Sequence, residues 1–470
     1  MKNTFIAGKR GSLGESQLNW LAKQLDTRAD KPALVFGHYN PFPNRGIRPI
    51  RGMSDGQSLL KILTKRKHAR AYLYGHTHEW QHGEIAAFCD VDELGKDRKG
   101  GFIEAAKKWP KAKRYTDWRE MLEKENLDGV TVSTPDHMHA PVTMTALKLG
   151  ISPYTQKPLT RTVYEARALT LAAREAKVAT QMGNQNHSGA NYKGLVDLVR
   201  SGLLGKIKRA YTWSNRPIWP QGHRRPKGSG KIPDGLHWDL WLGVAPERPF
   251  QKKIYHPFAW RGWYDFGAGA LGDMGCHIID PVVWALELGP ARSVKHEGPS
   301  PMKETFPEWE RIYYDFAGTK HTSGKNFQMI WYDGKKRPTA EEAGFPSKTK
   351  IPDNGVILVG EKASLITKHG SGHLPDFYVD GKKLNYPLKN PESDDHYGQW
   401  VSAIRGEGTP TSNFDYSGPM TETVLLGTIA CRFPGQSLRW DSDKLKFSNN
   451  SEANTLIRQA YRKGWEVEGL

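Results

Sequence analysis

Cysteine is almost missing from this sequence: Cys89, Cys276 and Cys431 are the only three in 470 residues. They are too few and too scattered for a disulfide framework or a thiolate metal cluster, so a reducing compartment is the expectation. Long apolar runs are missing as well. No stretch reaches the ~18 apolar residues that a membrane helix needs. The opening residues, MKNTFIAGKRGSLGES, lack the apolar core of a signal peptide. The chain therefore reads as soluble and cytoplasmic, with no membrane partner. No repeat or low-complexity tract stands out.

Acidic charge is scarce relative to basic: 50 Asp/Glu stand against 68 Lys/Arg, a formal net charge of +18. The excess is not gathered into one patch or arm, so a nucleic-acid partner is not expected. Residues 1–82 hold 14 Lys/Arg against 5 Asp/Glu, half of the whole excess. That marks them as a segment of different composition. A basic surface also suits an anionic ligand such as a dinucleotide.

What is abundant is core-forming material. Hydrophobic residues make up 37%, charged residues 25%, and there are 16 Trp, 18 Tyr and 16 Phe. This is a globular composition, long enough for roughly two to four domains. Aromatic faces of this kind stack on sugar rings or simply fill a core.

The first segment alternates helix and short apolar strand: helix Glu15–Leu25, strand Ala33–Phe36, helix Asp55–Leu63 and strand Ala71–Tyr74. From Glu84 the pattern restarts with the strand EIAAFCDVD. Helices Phe102–Trp109 and Trp118–Glu123 follow, then a strand over 129–135, helix Ala140–Leu149, strand Ser152–Thr155, helix Val163–Ala176 and strand Ala179–Gly183. Such a run builds a parallel sheet with helices on its faces. After Gly183 the character shifts to Gly/Pro turns and strands such as Ile207–Asn215, Gln328–Tyr332 and Gly355–Val359. The fold class expected is α/β, with a truncated Rossmann-like parallel sheet followed by an α+β domain carrying a large, mainly antiparallel open sheet. The domains expected are 1–82, 83–186 and 187–470.

Gly37-His38 and Gly75-His76-Thr77-His78 each follow a short strand, where metal ligands commonly project. With LGESQLNWLAKQL and KPALVFGHYNPF they resemble the C-terminal third of calcineurin-like metallophosphoesterases. By that resemblance His38, His76 and His78 are remnants of a two-metal centre. The carboxylate-bearing motifs that bridge such metals are missing, so these histidines read as vestigial, and no metal is expected. Gly8, Gly11 and Gly14 have a Gly-x-x-Gly-x-x-Gly spacing, not the Gly-x-Gly-x-x-Gly of a dinucleotide turn.

Four features carry chemistry in the remainder. Asp90 ends an apolar strand, where a carboxylate can hold adenosine ribose hydroxyls and repel a 2′-phosphate. Thr134-Pro135-Asp136-His137-Met138-His139 and Gln156-Lys157-Pro158 follow later strands, at the carboxyl ends where such sheets bind ligands. Asp273 and His277 lie four apart, so on a helix they share a face, and the carboxylate can orient the imidazole. An imidazole titrates in the range useful for removing a hydroxyl proton. A helix-capping Asp and a buried His are the bland alternative.

Residues 84–470 resemble the Gfo/Idh/MocA oxidoreductases, whose Glu-Lys-Pro motif stands here as Gln-Lys-Pro, and whose Asp-x-x-x-His segment is matched by Gly269 to Asp280. The resemblance implies NAD as cofactor, catalysis by Lys157, Asp273 and His277, and cofactor contacts from Asp90, Thr134, Pro135, Asp136, His139, Gln156, Lys157 and Gln185. Arg216, Trp219, His237, Trp260 and Arg261 offer ring faces and donors suited to a sugar or polyol. Asp395-His396-Tyr397 is a further candidate from the C-terminal part. A homo-oligomer formed through the open sheet is also implied.

The same resemblance places the chain's entry at the second Rossmann strand, without the first strand or the glycine turn that anchors the pyrophosphate. Either the upstream strands fill that gap, or the chain is an unstable or inactive fusion. Three functions stay open: an NAD-dependent sugar or polyol oxidoreductase, a glycoside-cleaving relative that keeps its NAD, and an inactive carbohydrate-binding chimera.

Overall fold

The computed structural model describes residues 14–27, 33–37, 69–74, 85–95, 101–370 and 372–470. Two compact units divide the chain, Met1–Glu84 and Ile85–Leu470. The first holds helix α1 (Gly14–Asp26), with Leu18 buried, and strands β1 (Ala33–Gly37) and β2 (Ala69–Tyr74). These two strands pair in parallel, with Val35 opposite Tyr72. The helix expected over Asp55–Leu63 lies outside the described residues.

The second unit opens with the βα run read from the sequence: β3 (Ala87–Cys89), α2 (Phe102–Lys108), β4 (Lys113–Tyr115), α3 (Trp118–Lys124), β5 (Gly129–Val132), α4 (His139–Lys148), β6 (Ser152–Gln156), α5 (Val163–Ala176) and β7 (Gln181–Gly183). Strand β6 is buried along most of its length, as parallel strands covered on both faces are. Helix α5 starts at a capping box: the Thr162 hydroxyl accepts from the Glu165 amide, and the Glu165 carboxylate accepts from the Thr162 amide. Among the described residues the parallel strands form two separate sheets, β3-β4 and β5-β6-β7. One apolar cluster joins them, with Met121, Val130, Val132 and Ile151 packed against Ala87, Cys89 and Tyr115.

The rest of the unit adds α6 (Ala190–Arg200), β8 (Ile207–Trp213), α7 (Trp238–Leu242), α8 (Gly269–Ile278), α9 (Asp280–Leu286), β9 (Ala291–Glu297), β10 (Arg311–Ala317), β11 (Asn326–Tyr332), β12 (Gly355–Gly360), β13 (Ser364–Lys368), β14 (Asp376–Val379), β15 (Lys382–Leu384), α10 (His396–Ile404), α11 (Phe414–Ala430), β16 (Ser437–Asp441) and β17 (Lys446–Phe447). The strands make one ten-stranded sheet in the order β15-β14-β13-β12-β8-β11-β10-β9-β16-β17. Only the β8–β11 pair is parallel; the others are antiparallel. Burial alternates strictly along β10, the period of two that a covered face requires.

Helices α5, α6, α8, α9 and α11 cover one face, packing on Val294, Ile312, Tyr314, Trp331 and Leu358. On the other face Tyr211, Trp213, Ile330, Tyr332 and Ile357 meet Ala340, Ala343 and Phe345. The sheet face that the sequence reading left open is thus covered over its central strands by the chain's own 340–345 segment.

Helix α8 is the element that positions the site. It begins at Gly269, whose φ of 66° lies in the left-handed region, where a Cβ would also stand 2.8 Å from the Phe306 ring. Every residue of α8 is buried except Asp273 and His277, which are half-buried on one face.

Candidate active site

Lys157 follows β6, and its ammonium donates to the Asp273 carboxylate and to the Asp273 carbonyl, each at 2.7 Å. The two side chains are 18% and 13% exposed. Two guanidiniums stand further off the same carboxylate: Arg261 Nε at 3.5 Å and Arg216 Nε at 3.9 Å. Three cations therefore surround one anion, a surplus of positive charge suited to a developing oxyanion.

The expectation that Asp273 orients His277 meets a different geometry. Asp273 spends its carboxylate on Lys157, and His277 Nδ1 is sealed from solvent with no hydrogen-bond partner among the described residues. Burial first, then the charges of Lys157 and two neighbouring histidines, holds the His277 pKa well below its ordinary value. The imidazole is neutral at pH 7, the form that accepts a proton.

Asp136 lies in the turn after β5 and accepts from the Ala268 amide at 3.1 Å. Burial pushes its carboxyl up to about 7, while Arg261 and Lys157 pull the other way. His139 stands between two carbonyls, Pro158 O at 2.7 Å and Thr134 O at 2.9 Å, and burial lowers its pKa to about 4. A neutral imidazole has one N–H, so His139 donates to one of these carbonyls and its other ring nitrogen only faces the second. His137 is held in the same way between Phe266 O and Trp241 O.

The remaining cofactor candidates sit at strand ends. The side chain of Gln156 lies over Gly183, where a Cβ would come within 2.4 Å of its Oε1. Gln185 donates to the Tyr154 hydroxyl at 3.0 Å. Pro135 caps the short turn that carries Asp136. Thr134 Oγ1 is buried without a hydrogen-bond partner, a sealed polar atom of the kind a ligand satisfies. Asp90, after β3, accepts from the Asp92 amide at 3.0 Å. This set fits the nicotinamide and ribose of a dinucleotide. His38, His76 and His78 lie outside the described residues.

Of the substrate candidates, Arg216 and Arg261 join the Lys157–Asp273 pair. Trp219 and Trp260 are buried and flank the Arg261 guanidinium, with ring centroids 5.7 Å and 4.2 Å from it. Their rings hold the arginine rather than offering an open platform. His237 sits elsewhere, paired with Glu93 at 2.5 Å beside the segment after β3. His396 is buried, bonded to Ser188 Oγ and facing Met182 O, and Tyr397 stacks on Tyr154.

His369 had no signal in the sequence, whereas His187 ends the Asn184-Gln185-Asn186-His187 segment that follows β7. His369, just after β13, packs its ring on His277 with centroids 5.2 Å apart and 35° between planes. His187 pairs with Asp280 at 2.9 Å and stacks on Trp284.

The parallel strand ends, the lysine–aspartate pair and the buried histidine are brought together beside a Rossmann-like sheet. Residues 61–184 match the oxidoreductase family's NAD-binding Rossmann fold, and residues 189–331 match its C-terminal alpha/beta domain. The chain belongs to the Gfo/Idh/MocA oxidoreductase family, and its cofactor is NAD. The first match begins ahead of Glu84 and takes in β2.

Among curated relatives, the chain is 32% identical over 129 residues to an alpha-N-acetylgalactosaminidase of Shewanella oneidensis, covering 26% of this chain and 28% of that one. It is 24% identical over 177 residues to a levoglucosan dehydrogenase of Pseudarthrobacter phenanthrenivorans, covering 38% and 37%. A 1,5-anhydro-D-fructose reductase of Ensifer adhaerens is 29% identical over 124 residues, covering 26% and 37%. The matches thus span about a third of these relatives. Among solved structures, the WlbA dehydrogenase of Bordetella pertussis in complex with NADH and UDP-GlcNAcA gives a TM-score of 0.50 at 13% identity, covering 87% of this chain and 99% of that one. An oxidoreductase of Thermotoga maritima gives 0.52 at 16%, covering 77% and 95%. At these identities the likeness is one of fold.

Proposed function

We propose that the chain transfers a hydride between a sugar or polyol hydroxyl and NAD(H). The observation that carries this reading is the Lys157–Asp273 pair beside a neutral, unpartnered His277. Bound NAD⁺ supplies the hydride acceptor. His277 takes the hydroxyl proton, and the Lys157 ammonium, fixed by Asp273, donates to the oxygen as negative charge grows on it. Arg216 and Arg261 supply donors for neighbouring hydroxyls, and Asp90 favours NAD over NADP because a carboxylate repels a 2′-phosphate. Relatives named as a levoglucosan dehydrogenase and an anhydrofructose reductase support the substrate class.

A second reading draws on the alpha-N-acetylgalactosaminidase and its kin: oxidation and re-reduction around a retained NAD, ending in cleavage of a glycoside. Incubation with a sugar panel and NAD⁺, followed by NADH absorbance and by release of a chromogenic aglycone, separates the two. NADH formation supports the first reading; aglycone release without net NADH supports the second. Saturable binding of sugar with neither signal, under any cofactor, overturns both and leaves a carbohydrate-binding chimera.

The pyrophosphate contacts are the remaining question for activity. Titration with NAD⁺ and NADH against the melting temperature tests them, since a ligand of the folded state alone raises it by mass action. A saturable rise supports dinucleotide binding by the folded chain; no rise in a cooperatively melting chain counts against it. The Rossmann match from residue 61 takes 61–82 into the oxidoreductase domain, so the phosphoesterase reading is confined to residues 1–60, which we read as inert, and added Mn²⁺ is expected to give no phosphodiester turnover. Homo-oligomers are expected, and light scattering of the purified chain tests this.

A further inference from the structure

We propose that His369 is a specificity-determining residue whose Nε2–H donates to a substrate oxygen on the carbon next to the one oxidised, and that Tyr192 is the positioning residue that fixes this N–H. The substrate class is then a sugar or polyol with oxygens on neighbouring carbons, rather than any alcohol. This rests on the reading of His277 as the group that takes the hydroxyl proton.

Hydrogen-bond accounting at Tyr192 sets the direction. Tyr192 lies on α6 with its side chain fully buried, and its hydroxyl is 2.8 Å from His369 Nδ1. The Asn186 side chain beside it acts as a donor, and no other acceptor bonds the hydroxyl among the described residues. A buried O–H without an acceptor is costly, so Tyr192 donates and Nδ1 accepts. A neutral imidazole carries one N–H, which leaves that hydrogen on Nε2. Burial first, then the charges of Lys157 and Arg216, lowers the His369 pKa to about 4 and keeps the ring neutral.

The two nitrogens of an imidazole lie on opposite edges of the ring, so with Nδ1 turned to α6, Nε2 faces away from it. No group bonds Nε2 among the described residues, and it is not sealed as His277 Nδ1 is. The backbone on either side is tied down: the His369 amide donates to Asn354 O at 3.3 Å, and Asn191 Nδ2 donates to Lys368 O at 3.3 Å. A tie between α6 and the end of β13 would need Nδ1 alone. The unspent N–H on the other edge is what points to a ligand.

Its place says which part of the ligand. The His369 ring packs on His277 with 5.2 Å between centroids and 35° between planes. Two imidazoles in ring contact reach oxygens on neighbouring carbons, not opposite ends of a sugar ring. His277 takes the proton of one oxygen, on which Lys157 also acts, while His369 donates to a lone pair of the other. A neutral donor fixed in one tautomer accepts a hydroxyl or an ether oxygen there and gains nothing from an apolar C–H.

The first test is nitrogen NMR of the imidazoles in the full chain, without cofactor or sugar. His369 is expected to carry its proton on Nε2, and a ring protonated on Nδ1 overturns the proposal. The second compares an oxidised sugar with its analogue deoxygenated at the neighbouring carbon. The parent is expected to prefer the intact sugar by about 10-fold in kcat/KM, the scale of one neutral hydrogen bond. His369→Leu should lose that factor on the intact sugar and leave the deoxy analogue unchanged. His369→Gln, whose amide can donate from a similar position, should recover part of it. Tyr192→Phe should narrow the preference by less, with a mixed tautomer in the NMR. Should His369→Leu not fold, the other two variants carry the same comparison. Equal losses on both sugars mean that the ring only packs, and overturn the proposal. If His277→Asn keeps full turnover, the underlying reading of the site fails instead.

Discussion

Lys157 and Asp273, 116 residues apart in the chain, meet at 2.7 Å and join the parallel-strand ends to helix α8 through opposite charges. The contact is largely withdrawn from water, so its two halves are not independent. Removing one partner leaves an uncompensated charge, whereas removing both leaves only a polar gap.

Asp273→Asn is accordingly expected to lower stability by about 3 kcal/mol, the low end for a partly buried pair, because Lys157, Arg261 and Arg216 then repel one another without an anion. Lys157→Met costs a similar amount. The double variant is expected to recover most of the loss while remaining inactive. Urea midpoints of the four proteins check this; strictly additive losses would show that the pair contributes nothing jointly.

Asp136 predicts a pH dependence of definite sign. Its carboxyl stands at about 7 in the fold against an ordinary 3.8, so between those values the folded chain binds more protons than the unfolded one. The stability this group contributes is full below about pH 4. It is lost as pH rises toward 7, because burial penalises the ionised form. Asp136→Asn keeps an acceptor for the Ala268 amide without that penalty. It should melt higher than the parent at pH 8 and no higher at pH 4, and a difference independent of pH would refute the assignment.

The architecture was legible because it is periodic. Short apolar strands over 129–135, 152–155 and 179–183 and the helix around Asp273 are set by local patterning, and the parallel sheet follows from their alternation with helices. The site was legible only where residues come from motifs. Lys157 and His277 were named in that way, but the Lys157–Asp273 contact was not, since an i,i+4 spacing says which residues share a helix face and nothing about what another segment brings to it. His369 follows His277 by a long stretch of sheet and sits in the motif-free sequence KHGSGH. Strand order alone delivers it. Trp219 and Trp260 illustrate the converse: an aromatic residue reads equally as sugar platform or core, and here burial around Arg261 decides for the second.

Asp90 carries a prediction about cofactor choice. Its carboxylate sits at the end of β3, and a 2′-phosphate brought near it meets like charge. Asp90→Ser should weaken NADH binding and strengthen NADPH binding, narrowing the ratio of the two dissociation constants by at least about 10-fold, or 1.4 kcal/mol. Fluorescence titration with both dinucleotides measures it. An unchanged ratio would place the ribose elsewhere.

Arg261 offers the sharpest separation of shape from charge. Its guanidinium lies over Trp260 at 4.2 Å and Phe258 at 4.6 Å, with Nε 3.5 Å from Asp273. Arg261→Lys retains the cation near Asp136 and Asp273 but loses the planar stack that fixes its direction. Sugar KM is therefore expected to rise by about 10-fold while kcat changes little, the pattern of lost uniform binding. Arg261→Gln removes the charge as well, so one of the cations holding the Asp136 carboxyl down is gone, and that group should titrate at higher pH than in the parent. Steady-state kinetics for the first variant and the pH dependence of melting for the second measure these effects separately. Equal kinetic losses in both variants, with no shift in the Asp136 titration, would mean that Arg261 acts only as packing between its aromatic neighbours.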